Sequence, residues 1–192
     1  MKTILVCITG AVASVALPSY IMTIRRQLGV RVVVMLSKNA AKFVTPYALT
    51  LYSGNEVYTD TYDSNEQVLV PHIKQTQDAD IILVMPATAN IIAKAAHGIC
   101  DDIISTSIVA AIAPVLFIPS MNERMWFSNP VQTNLKKIQE HGYHFMEPEK
   151  GVEISDMSES FGGMASLRTI IPLLKNFLTN ETKPVPQFGA VQ

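Results

Sequence analysis

Residues 3–14 read Thr3-Ile4-Leu5-Val6-Cys7-Ile8-Thr9-Gly10-Ala11-Val12-Ala13-Ser14. The apolar run is rich in β-branched side chains and shows no strict alternation. A strand buried on both faces of a parallel sheet requires that pattern. The run stops at Thr9-Gly10, and a loop of small residues leads into helical periodicity. Strand, small-residue loop and helix, in that order, open a doubly wound α/β domain. The stretch superficially resembles a secretory signal, but the break at Thr9-Gly10 and the strand-like run assign it to the fold instead.

Three more runs of the same kind follow, at Arg31–Leu36, Ile81–Met85 and Val115–Ile118. Helical periodicity fills the intervals, at Val15–Leu28, Ala40–Ser53, Ala89–His97, Asp102–Ala111 and Pro130–His141. A short strand is expected at Tyr143–Met146 and a closing helix at Leu167–Leu178. The polar, glycine-bearing Glu147–Ser166 reads as a long mobile loop. The pattern predicts a single Rossmann-like (flavodoxin-like) α/β domain with a doubly wound parallel sheet over residues 1–180, then a tail over 181–192.

Composition narrows the function. The 192 residues are 48% hydrophobic and only 16% charged, so apolar surface buried between subunits, and hence a homo-oligomer, is expected. With 15 basic against 16 acidic residues and no clustered Lys or Arg, no nucleic-acid surface is expected. No run of eighteen apolar residues predicts a membrane span. The two cysteines, Cys7 and Cys100, lack metal-ligand spacing, so no metal site is expected. A cytoplasmic protein fits these features.

In doubly wound folds ligands gather at the carboxyl ends of the strands. There the sequence places Gly10 to Ser14, Ser37 to Asn39, Pro86 to Asn90 and Pro119 to Asn122, all small or polar apart from Val12 and Met121. The first loop enters a helix N-terminus, which favours a phosphate. It carries one glycine rather than G-x-G-x-x-G, so a mononucleotide suits it better than a dinucleotide.

Pro86-Ala87-Thr88-Ala89-Asn90 and Pro119-Ser120-Met121-Asn122-Glu123-Arg124-Met125-Trp126 resemble the P-A-S-A-N-T and P-x-M-N-x-x-M-W motifs of the homo-oligomeric flavin-containing cysteine decarboxylases. The resemblance covers residues 1 to about 180. It implies FMN as cofactor, with Gly10, Ser14, Ser37, Thr88, Ala89, Asn90 and Ser105 as its contacts. It also implies trimers gathered into a dodecamer, with FMN near a subunit boundary. His72 falls at the family's active-site histidine and is the expected general base, imidazole being suited to proton transfer near neutral pH. Asn122 is expected to hold the substrate carboxylate, with Met125 beside it. An amide orients that group without the charge pairing that would keep it from leaving.

Two substrate classes occur in that family: phosphopantothenoylcysteine, in coenzyme A synthesis, and the C-terminal cysteine of lantibiotic and related precursor peptides. The loops Ile8–Val15 and Ala89–Gly98 look closer to the peptide-modifying enzymes. Ser155 stands where the coenzyme A enzymes carry a catalytic cysteine, which implies an enethiol product and electrons left on FMN. Phe161-Gly162-Gly163-Met164-Ala165 resembles the glycine-rich clamp of the coenzyme A group. The expected activity is therefore oxidative decarboxylation of a precursor peptide ending in Cys, with a phosphopantothenoylcysteine decarboxylase, a flavin prenyltransferase and a flavin-binding regulatory subunit as alternatives.

Overall fold

The computed structural model describes residues 1–61, 70–155 and 157–179. Six parallel strands form the central sheet: β1 (Thr3–Ile8), β2 (Arg31–Leu36), β3 (Val57–Tyr58), β4 (Ile81–Ala87), β5 (Val115–Pro119) and β6 (His144–Phe145). Their spatial order is β3-β2-β1-β4-β5-β6, the Rossmann order. The expected fold class is what the chain adopts. The expected helical tracts appear as α1 (Leu17–Leu28), α2 (Pro46–Ser53), α4 (Ala89–His97), α5 (Ile103–Val109), α7 (Asn129–Glu140) and α8 (Leu167–Thr179). Sequence reading did not anticipate β3, α3 (Pro71–Asp78), or the single-turn α6 (Glu123–Trp126). The expected tail lies outside the described residues.

The absence of alternation in the strands has a simple cause. Leu5, Cys7, Ile82, Val84, Val115 and Phe117 pack on one face with α4, α5 and α7. Ile4, Val6, Ile8, Leu83, Leu116 and Ile118 pack on the other with α1, α2 and α8. Both faces are dry, so every position on these strands must be apolar.

Glu147–Ser166 is not a loop throughout. It folds as an antiparallel hairpin, β7 (Glu149–Val152) with β8 (Glu159–Gly163), separate from the main sheet. Backbone hydrogen bonding holds it, and Met121 N–H donates to the Gly162 carbonyl at 3.1 Å to dock it on the loop after β5. Gly162 has φ +121°, and a Cβ there would overlap the Met121 carbonyl oxygen. Only glycine meets both demands. No helix among the described residues is long and apolar enough to cross a membrane.

Candidate cofactor and active site

The chain leaves β1 for β2 on one side while β4 lies on the other, so a crevice opens between the β1 and β4 loops. Thr9 joins the two loops. Its hydroxyl donates to the Pro86 carbonyl at 2.7 Å and accepts from Thr88 N–H at 3.1 Å. Thr9→Val would strand the buried Pro86 carbonyl, at about 1–3 kcal/mol, and free the half-buried Thr88 N–H. A lower Tm together with weaker FMN retention is expected, read by thermal melts with and without added flavin.

A cavity of about 450 Å³ sits in this crevice, walled in part by Gly10, Ser37, Lys38, Thr88, Ala89 and Asn90. Gly10 lets the first loop run against the second: a Cβ there would meet Asn39 Cβ at 2.6 Å. Thr88 caps α4, accepting from Ile91 N–H at 3.4 Å. The first N–H groups of that helix have no partner within it and favour an anion. Ile91, Ile104 and Met125 add apolar wall. Hydroxyls, a cation and a helix N-terminus beside apolar wall fit the phosphate and ring of FMN.

Ser14 and Ser105 line neither this cavity nor its neighbour. The buried Ser14 hydroxyl donates to the Thr9 carbonyl at 2.9 Å and braces the first loop. Ser105 completes a capping box with Asp102 at the start of α5. Sequence reading missed Lys94. That ammonium, on the cavity wall, lies 2.6 Å from both Asp101 and Asp102. Burial disfavours its charge, yet hydrogen bonds to the two carboxylates outweigh this and raise its pKa. Lys94 lies four residues beyond Asn90 on α4, a spacing that puts the two on one face and was the available signal. Cys7 is no reactive thiol: burial, aided by the Asp102 charge, pushes its pKa far up.

A second cavity, of about 660 Å³, adjoins the first and shares Gly10, Thr88, Ala89 and Met125 with it. Its far wall is the hairpin, including Lys150 and Ser155, and its floor includes Ser120 and Asn122. Asn122 caps α6, its Oδ1 accepting from Met125 N–H at 2.9 Å. With Oδ1 so engaged, the amide NH2 is the group left to donate. The helix-capping role of Asn122 is thus compatible with the expected carboxylate-holding one.

His72 is near the start of α3 and lines neither cavity. Within one chain the structure gathers Gly10, Ser37, Thr88, Ala89, Asn90, Asn122 and Met125, but not His72.

The sequence matches the family described as Flavoprotein over residues 1–179. The chain belongs to that family. Among curated relatives, the coenzyme A biosynthesis bifunctional protein CoaBC of Bacillus subtilis is 38% identical over 153 residues, 78% of this chain and 37% of that protein. The probable phosphopantothenoylcysteine decarboxylase of Streptococcus mutans is 32% identical over 183 residues, 92% of this chain and 99% of that one. The chain thus spans well under half of the bifunctional relative and nearly all of the single-function one. Among solved structures, the FMN-dependent cysteine decarboxylase SpaF has a TM-score of 0.80 at 29% identity, covering 92% of this chain and 97% of that chain. The peptidyl-cysteine decarboxylase EpiD has a TM-score of 0.77 at 26% identity, covering 94% and 100%.

These findings overturn the expectation of a precursor peptide ending in Cys. The curated sequence relatives act in coenzyme A synthesis, whereas the peptide-modifying enzyme is a structural relative at lower identity. The reason is local. The loops read as peptide-like, Ile8–Val15 and Ala89–Gly98, line both cavities, so a likeness there does not separate the two substrate classes.

Proposed function

We propose that this Flavoprotein member is an FMN-dependent decarboxylase of phosphopantothenoylcysteine. The observation that carries the reading is the paired cavity at the β1/β4 crevice, in a chain whose 32%-identical relative of similar length is described as a probable phosphopantothenoylcysteine decarboxylase. The first cavity would hold FMN through Gly10, Ser37, Thr88, Ala89 and Asn90. The second would take the substrate, its apolar walls suiting an aliphatic arm and Lys150 a phosphate. When bound, FMN supplies the two-electron oxidation of the cysteine that lets its carboxylate depart.

This chain's residues do the rest. His72 takes the thiol proton. The Asn122 amide NH2, held by the bond from Met125 N–H, donates to the carboxylate and sets its orientation. The docked hairpin excludes water. His72 must come from a neighbouring protomer, because it lines neither cavity of its own chain. Exposed apolar side chains such as Tyr47, Leu51 and Phe127 give a homo-oligomer its contact surface.

The test incubates FMN-loaded protein with phosphopantothenoylcysteine and, separately, with a Cys-terminated peptide, and weighs the products by mass spectrometry. Loss of carbon dioxide from the first alone is expected; turnover of the peptide alone would overturn the reading. The product mass also reports the electrons. Two further hydrogens lost means that they leave through an outside acceptor, as a serine in place of a thiol implies.

A further inference from the structure

Among the described side chains, two buried polar atoms have no hydrogen-bond partner: His72 Nδ1 and Gln75 Oε1. They lie three residues apart on α3, a spacing that places both on one helix face. Gln75 is only 3% exposed. Its amide nitrogen donates to the Tyr58 hydroxyl at 3.1 Å, so the bare end of its amide is an acceptor. An acceptor is satisfied only by a donor, and a neutral imidazole carries one N–H and one lone pair. Were Nδ1 the lone-pair nitrogen, two unpaired acceptors would share a buried face.

We propose that Gln75 is a positioning residue for His72. A small side-chain rotation, closing the gap that leaves both atoms unpartnered, lets its Oε1 accept directly from His72 Nδ1–H and so fixes the tautomer whose Nε2 holds the lone pair. That nitrogen is then the one that takes the substrate's proton. Choosing the tautomer through a bond to the other ring nitrogen is how imidazole bases and ligands are generally set. The relay also gives the two-residue β3 a task. Tyr58 on that strand holds the glutamine amide, which in turn holds the histidine. Nearby, the Thr76 hydroxyl donates to the His72 carbonyl at 2.7 Å and is not available to the ring.

The proposal rests on His72 being the base, and the experiment separates the two. In the FMN-loaded full-length protein labelled with 15N-histidine, long-range 1H–15N spectra should show His72 protonated at Nδ1. Gln75→Leu should reduce kcat about 10–100-fold, the range for losing an orienting partner, with KM and the flavin spectrum unchanged. Gln75→Glu, which keeps an acceptor, should restore kcat to within a few-fold. An Nε2-protonated His72 in the unaltered protein overturns the proposal, and this readout stands even if Gln75→Leu fails to fold. An unchanged kcat in a folded Gln75→Leu also overturns it, as does a loss shared with KM or FMN binding. If His72→Asn turns over normally, the base assignment itself has failed, whichever tautomer is seen.

Discussion

His72→Asn will keep its flavin spectrum and lose about 10²–10⁴-fold in turnover, the usual worth of a general base. Retention of FMN is expected because His72 lines neither cavity, so nothing that would grip the cofactor changes. The sharper form of the experiment uses two inactive variants. Chains carrying His72→Asn and chains carrying Asn122→Ala, co-expressed in equal amounts, each bring the half of the site that the other lacks. If base and carboxylate holder come from different protomers, about a quarter of the sites in a random assembly have both. Activity should recover to about that fraction of the unaltered enzyme. No recovery in a verified mixed oligomer would place both residues in one chain's site.

Gly162→Ala is expected to be the most damaging single methyl group in the hairpin. It combines two penalties: a backbone at φ +121° that side chains rarely adopt, and a Cβ driven into the Met121 carbonyl. Such backbone strain alone costs about 1–3 kcal/mol, and relief comes by pulling the hairpin off the loop that carries Asn122. A rise in substrate KM of more than about tenfold, equivalent to about 1.4 kcal/mol, is expected with FMN still bound. Gly151→Ala is the control. There a Cβ would meet only the Gly163 Cα, at 3.4 Å, in ordinary contact, and a KM near that of the unaltered protein is expected. Equal KM values for the two variants would mean that the hairpin's docking does not govern substrate binding.

The parts legible in the sequence were those whose chemistry is one-sided. β1 and β2 were legible because burial on both faces leaves no choice but apolar side chains over Ile4–Ile8 and Val32–Leu36. The loops after β1 and β4 were legible as a ligand site because small residues there have no use in a core. Three elements were hidden by mixed demands. β3 is two residues long and carries no pattern. α3 is polar along most of its length and buries Gln75 and Thr76, side chains that ordinarily signal a surface. The hairpin strands are short, largely half-buried or exposed, and contain three glycines, so neither period stands out. The site was legible in its chemistry but not in its assembly. Motifs name Asn122 and His72, yet no motif shows that one lines a cavity of its own chain while the other does not. The substrate was misread because the loops that were weighed, Ile8–Val15 and Ala89–Gly98, line both cavities and so do not discriminate between substrates.

That hairpin belongs to neither layer of the sandwich, and its strands pair only with each other. Its turn, with Glu153, Ile154 and Ser155, hangs past the last paired rung at Val152 and Glu159 while still walling the larger cavity. Chemistry at the tip is therefore decoupled from folding of the core. A chain built this way can have its turn rewritten, a thiol inserted or a longer arm grafted, without re-registering any strand of the main sheet. In engineering terms the turn is an exchangeable cassette mounted on a fixed flavin chassis.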